Sequence, residues 1–361
     1  MWDLAVREED YDAAEGMVRR MKAPPLSMRV LLTVVRGDSA ARAGIIEEAR
    51  VSDSRQSQIA ARYVATFREE FALAEALARL DLAPRRRPPI RANAQLLLAW
   101  FEIARGRWSA SKVAFKQAER MEEVPPVHIQ RAIAATLPFL EVPKEDLESI
   151  RAEMMLWNAG AEASDPSAGL AIRLRPHLRL YLLGLLSTRL GDNASALRFA
   201  EDIERATTPP EAKAVIRGLA QTVRADVALA GGRADKAREA LEEVHGEVPL
   251  ELVSTPVYSN TREFTQEHAR YLRVLTLSAL PRPTEAVRWI ETAFEGAPSE
   301  IAYIAPMHLQ RAEAYERLGD LKKAERHYRR FVTLWKDCDP ALRPQVERAK
   351  MRLTQLEKRA G

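Results

Sequence analysis

The sequence predicts an all-α fold: an α-α superhelix of about eight helical hairpins running as one array over residues 1–361, closed by a capping helix over 340–359. Three observations predict it. Hydrophobic residues make up 47% of the chain and aromatics only 6%, so the apolar content is largely Ala and Leu, which suits helix on helix better than sheet on sheet. Small residues form a ladder, Ala196, Ala237, Ala286 and Ala324, spaced 41, 49 and 38 residues apart. A small side chain at each rung lets two helices cross closely. Finally, Gly191, Gly232 and Gly319 each stand five positions before a rung, where a chain reversing between helices uses left-handed backbone.

The repeats read weakly over residues 1–160 and more clearly over 170–336. At the start, Tyr11 and Ala14 open a second helix whose first-helix partner, Met1 to Arg7, is about half the usual length. Ala14 and Val18 are therefore expected to lack a complete partner surface, as if Met1 stood inside a longer array. Helical pairs follow at 26–36/38–50, 54–67/69–81 and 89–105/107–121. In the last of these, Ala99, Gly106, Ser111, Phe115 and Ala118 supply small, turn, small, large and small residues in order. The segment 82–90 between pairs, LAPRRRPPI, holds three prolines and reads as a turn or short linker. Next come 127–139/144–159, 171–190/192–206 and 209–230/233–245.

Gly246 to Phe264 interrupts the helical period with Pro249 and Pro256. It reads as a loop packed along the array through Val257 and Tyr258, or as a functional loop. The pairs 264–280/283–297 and 299–318/320–336 complete the series, with Pro281-Arg282-Pro283 replacing the turn glycine in the first. The cap over 340–359 carries Val346, Met351, Leu353 and Leu356 to bury, with Arg348, Lys350, Lys358 and Arg359 facing outward.

Ala312 to Phe331, AEAYERLGDLKKAERHYRRF, is the clearest single unit. Ala312 and Tyr315 share one face of a first helix, Gly319-Asp320 makes the turn, Ala324 admits close approach and Tyr328 fills the space between. The segment resembles a tetratricopeptide repeat (TPR), so the array reads as a TPR-like solenoid, with spacings longer than the usual ~34 residues. A wider string, TPVYSNTREF…YLRVLTLSAL…EAVRWIETA…YIAPMHLQ onward, is similar to the C-terminal TPR region of large bacterial signalling proteins. In those, a serine/threonine kinase or a DNA-binding activator domain precedes the repeats. The resemblance spans about residues 170–361 and implies a protein-binding or sensory module of a larger protein. This chain holds neither effector domain, and no activity transfers to its residues.

Lys plus Arg exceed Asp plus Glu by 55 to 51, a formal charge of +4 that is nearly balanced over a chain of this size and argues for no nucleic-acid partner. Arg85-Arg86-Arg87 with Arg91 lacks interleaved aromatics and reads as a solvated linker or a contact with an acidic protein surface. Arg326, His327, Arg329 and Arg330 read as the outward face of their helix. The lone cysteine, Cys338, excludes an internal disulfide and a four-cysteine zinc site. No run approaches the ~20 apolar residues of a membrane span, and the acidic start MWDLAVREED is not a secretory leader, so the chain is expected to be cytoplasmic.

No phosphate loop, dinucleotide fingerprint, nucleophile elbow or zinc-protease motif occurs, so the chain is expected to be non-catalytic and free of cofactors and metals. The histidines His128, His177, His245, His268, His308 and His327 read as surface or packing residues. The one juxtaposition raised is His268 with His308 across neighbouring first helices. Carboxylate pairs such as Glu122-Glu123 and Glu242-Glu243 read as solvated.

In such an array the first helices line a concave face that takes extended or helical peptides. Counting from the small residue of each repeat, the positions expected to contact a protein or peptide partner are Asn93, Trp100, Tyr181, Arg189, Thr222, Asp226, Tyr271, Ser278, Glu313, Glu316 and Arg317. Trp100 and Tyr271 read equally well as core between repeats. The alternative is a ligand-sensing regulatory domain that holds a small molecule or peptide in the same groove.

Overall fold

A computed structural model describes residues 2–7, 10–51, 56–121, 127–164, 168–244, 247–253, 264, 267–291 and 298–360. Every regular element among them is helical. The first half runs α1 (Trp2–Arg7), α2 (Tyr11–Arg19), α3 (Leu26–Arg36), α4 (Ser39–Val51), α5 (Gln56–Arg68), α6 (Phe71–Arg79), α7 (Pro88–Ala104), α8 (Trp108–Glu119), α9 (Val127–Thr136), α10 (Lys144–Leu156) and α11 (Ala159–Ala163). It continues with α12 (Leu170–Arg173), α13 (Arg175–Arg189), α14 (Asn193–Arg205), α15 (Lys213–Ala230), α16 (Ala234–Glu242), α17 (Leu250–Val253) and α18 (Glu267–Ala279). Then follow α19 (Pro283–Glu291), α20 (Pro298–Ile301), α21 (Ile304–Arg317), α22 (Leu321–Leu334) and α23 (Arg343–Ala360). The fold class is all-α, built from consecutive helices packed as hairpins.

Prolines cause the main departures from the expected boundaries. The helix expected over 171–190 is split into α12 and α13, and that over 299–318 into α20 and α21. Pro176 and Pro306 each fall in the first turn of the second piece, where a missing N–H is tolerated. The helix expected over 127–139 stops at Thr136, ahead of Pro138. Within Gly246 to Phe264, where no helix is expected, Leu250–Val253 form a single turn, and Glu251 Oε1 accepts a hydrogen bond of 2.7 Å from the Leu170 N–H. Val257, Tyr258, His245, Glu122 and Glu123 lie outside the described residues.

The chain forms two compact units. The first comprises Met1–Val127 with Glu295–Ile304. Its α1 supplies Trp2, Ala5 and Val6 to a cluster with Ala14, Val18, Leu31 and Leu32, and the Trp2 ring stacks on Tyr63 at 5.5 Å. Ala14 and Val18, expected to lack a complete partner surface, are thus buried. Farther along, α7 is buried over most of its circumference and α20 packs on both α5 and α7. The arginine run before α7 departs from a solvated linker. Arg85 and Arg87 are exposed, but Arg86 is buried, its Nε 3.2 Å from Asp81 Oδ1 and its Nη2 donating to the Ala49 carbonyl at 3.1 Å.

The second unit comprises His128–Phe294 with Ala305–Gly361. All four ladder alanines, Ala196, Ala237, Ala286 and Ala324, are fully buried. The α21–α22 turn shows why glycine is needed: Gly319 has φ +80°, and the Asp320 N–H reaches the Tyr315 carbonyl at 3.0 Å, capping the end of α21. The Asp320 carboxylate then accepts from the Lys323 N–H at 3.2 Å and starts α22. At the crossing of α13 and α15, a Cβ on Gly184 would sit 2.9 Å from Val223 Cγ2, so only glycine allows this approach. In the cap α23, Val346 and Leu356 are buried as expected, but Met351 is 58% exposed.

Candidate protein-binding face

The expected contact residues separate by burial. Asn93 and Trp100 on α7 are buried, the Trp100 ring meeting Phe115 edge-on at 6.5 Å. In the second unit Tyr181, Thr222, Asp226 and Tyr271 are also buried, and the Thr222 hydroxyl donates to the Gly218 carbonyl at 2.7 Å. Arg189, Ser278, Glu313 and Glu316 are half-buried and Arg317 is exposed. The Arg317 guanidinium donates to the Ser278 carbonyl, tying α21 to α18. Of the set, the members that reach solvent are therefore Arg189, Ser278 and the group at the C-terminal end, Glu313, Glu316 and Arg317.

That end is a built surface. Helices α21, α22 and α23 enclose an open cavity of about 440 Å³ lined by Leu309, Glu313, Tyr328, Arg348, Met351 and Arg352, among others. Glu316 anchors one wall: its carboxylate accepts from the Tyr328 hydroxyl at 2.9 Å and from both Nε and Nη2 of Arg352. Burial raises the Glu313 carboxyl above the usual range, and Arg317 and Arg348 pull it back. Burial likewise pushes the Tyr328 hydroxyl up to about 12. The cavity thus offers an apolar floor, one guanidinium fixed by a carboxylate, and an exposed arginine and methionine. A second cavity of about 370 Å³, between α16, α18 and α19, is walled by Arg273, whose guanidinium lies 4.1 Å from the centre of the Trp289 ring and donates to the Leu241 carbonyl.

Inside the second unit a polar group sits apart from solvent. Burial raises the Asp226 carboxyl to about 7, with Arg189 opposing, and depresses the His268 imidazole to about 3, with Arg189 adding to the effect. The two act on stability in opposite senses. The Asp226 contribution is complete below its unfolded value near 3.8 and is lost as pH rises toward 7. The His268 contribution is complete above 6.5 and is lost as pH falls toward 3. Asp226→Asn removes only the first. The melting temperature of this variant minus that of the wild type is expected to grow from pH 4 to pH 8. A difference that stays constant over that range contradicts a buried, neutral-preferring Asp226.

The described histidines are buried or half-buried, within the expected reading, and the basic group of α22 departs from its expected outward face only at His327. His308 on α21 meets His327 on α22, Nδ1 to Nδ1 at 2.9 Å, and the Tyr315 ring stacks on His327 at 5.7 Å. His327 is therefore a half-buried packing residue, while Arg326, Arg329 and Arg330 do face outward. Among the described residues no group of three or more His, Cys, Asp or Glu side chains has the arrangement to hold a metal ion. No helix among them is long and apolar enough to cross a membrane.

Sequence reasoning missed Phe139, in the turn between α9 and α10. Its ring lies 5.3 Å from Tyr271 and 6.4 Å from Trp335. The signal was Pro138, which a helix interior does not accommodate.

Residues 305–336, the α21–α22 hairpin, match the family model described as tetratricopeptide repeat. The chain therefore contains a TPR repeat, a motif that generally mediates protein–protein interaction. No curated protein and no solved structure matches the chain.

Proposed function

We propose that this chain is a non-catalytic protein-binding scaffold or sensory module, and that it holds a protein or peptide partner against the cavity formed by α21, α22 and α23. One observation carries the reading: the cavity adjoins the hairpin that matches the TPR model, and it presents Arg348 and Met351 to solvent above an apolar floor. Arginine with large apolar side chains is the combination that concentrates binding energy in protein interfaces. The resemblance of residues 170–361 to the TPR region of bacterial signalling proteins supports a place within such a protein, in the cytoplasm.

The test is capture of a partner from extract by immobilised protein. A discrete partner retained by the wild type and by Lys236→Glu, and lost at least tenfold from Arg348→Glu/Met351→Glu, is the expected result. Equal retention by the double variant moves the interface elsewhere. A second reading, a ligand-sensing domain, has in its favour that both cavities fall within the ~300–1,000 Å³ typical of small-molecule sites. It requires a saturable rise in melting temperature with a metabolite, which a protein scaffold does not give.

A further inference from the structure

We propose that the cavity between α16, α18 and α19 is a binding site for a small apolar monocarboxylate, whose carboxylate pairs with Arg273 while its body rests on an apolar floor. The cavity measures about 370 Å³, room for a compound of small-metabolite size. Leu241, Val244 and Leu277 line it and are themselves buried. Arg273 of α18 forms one wall and is held in two ways. Its Nη2 donates to the Leu241 carbonyl, and its guanidinium lies 4.1 Å from the centre of the Trp289 ring of α19. Both contacts fix the guanidinium without neutralising it. Among the described residues no carboxylate forms an ion pair with Arg273, and one bond to a carbonyl leaves the rest of its N–H fork available.

The charges around the cavity select the ligand. Arg238 pairs with Glu242 one turn along α16, and Arg282 Nη1 lies 3.1 Å from Glu285 Oε1 at the start of α19. Glu242 and Glu285 are exposed, so both pairs stand in solvent and hold weakly. Three lining arginines against two lining glutamates leave one net positive charge, that of Arg273. A monoanion balances it, whereas a phosphate dianion exceeds it and is repelled by both glutamates. The planar guanidinium fork also matches a carboxylate, which it takes through two parallel N–H···O bonds. Burial holds the Arg273 guanidinium below its usual value, with Arg270 adding to the effect and Glu242 opposing it, so an anion beside it relieves a desolvated cation. The rest of the ligand is apolar because a second polar end would meet Leu241, Val244 and Leu277 and find no partner there.

This site rests on the ligand-sensing reading, which it deepens at one cavity, and it is independent of the partner surface at α21–α23. The experiment titrates the whole chain with hexanoate, hydrocinnamate and indoleacetate at constant ionic strength, by calorimetry and thermal shift. At least one acid is expected to bind saturably and raise the melting temperature. The corresponding primary amide is expected to bind at least tenfold more weakly, and phenyl phosphate at least threefold more weakly than hydrocinnamate. Arg273→Gln, shown to be folded by circular dichroism, is expected to weaken the acid at least tenfold. If that variant does not fold, Arg273→Lys keeps the charge, loses the fork and is expected to weaken it at least threefold. No heat and no thermal shift from any of the three acids up to tens of millimolar overturns the proposal. Equal binding of acid and amide, or of wild type and the folded Arg273 variant, overturns it as well. A thermal rise given only by an uncharged metabolite overturns the carboxylate site and keeps the ligand-sensing reading.

Discussion

Arg86→Met is expected to destabilise the first unit by about 3–5 kcal/mol, because it strands a carboxylate with no route to water. Asp81 is 0% exposed and Arg86 2%. The Ser57 hydroxyl donates to Asp81 Oδ2 at 2.6 Å, Arg86 Nε lies 3.2 Å from Oδ1, and Arg86 Nη2 reaches the Ala49 carbonyl at 3.1 Å. The pair thus joins α4, α5, the turn after α6 and the entry to α7. Removing one charge leaves the other desolvated and uncompensated, whereas removing both replaces the network with apolar contact. Asp81→Leu/Arg86→Met is therefore expected to recover most of the loss. Urea unfolding of the single and double variants measures this; a single-variant loss under about 1 kcal/mol means that water reaches the pair.

Trp100→Ala is the second large effect, at about 3–5 kcal/mol, and it falls on folding rather than on binding. The indole is 1% exposed and packs against Phe115 in a helix that is buried on nearly all sides. Tyr271→Ala carries a similar loss in the second unit, where the ring is 3% exposed and contacts Phe139. Thermal unfolding monitored by circular dichroism reads both. An unchanged melting curve, with partner binding abolished, would return these two side chains to an open groove.

These residues show where the sequence was legible. Ala196, Ala237, Ala286 and Ala324 announced their burial because a crossing of two helices admits little else, and the turn glycines announced their positive φ. Both are local demands, met by a residue type at one position. The contact face was less legible because its rule assumes that the inward side of each first helix meets solvent. Tyr181, Thr222, Asp226 and Tyr271 lie on such helices yet are buried, so helical register alone did not report their exposure. Arg86 was misread for a related reason. Its charge suggested solvent, and its partner Asp81 sits in a separate turn that no periodicity links to it. The cavity beside α23 was half legible: Glu313 and Glu316 were in the expected set, while Arg348 and Met351 belong to a helix read only as a cap.

The contact between Phe139 and Trp335 also bears on how the second unit comes apart. In an open stack of repeats each hairpin touches only its neighbours, so one end frays while the other holds, and folding starts at any rung. Phe139 and Trp335 are about 200 residues apart in the chain, and their meeting ties the earliest helices of the unit to its last hairpin. Loss of the final hairpin therefore removes support from the first. During synthesis the contact of Phe139 with Trp335 cannot form until Trp335 has left the ribosome, so the Phe139 ring waits with part of its surface uncovered. The second unit is therefore expected to unfold more cooperatively than an open stack of repeats, with Phe139 as the link between its ends.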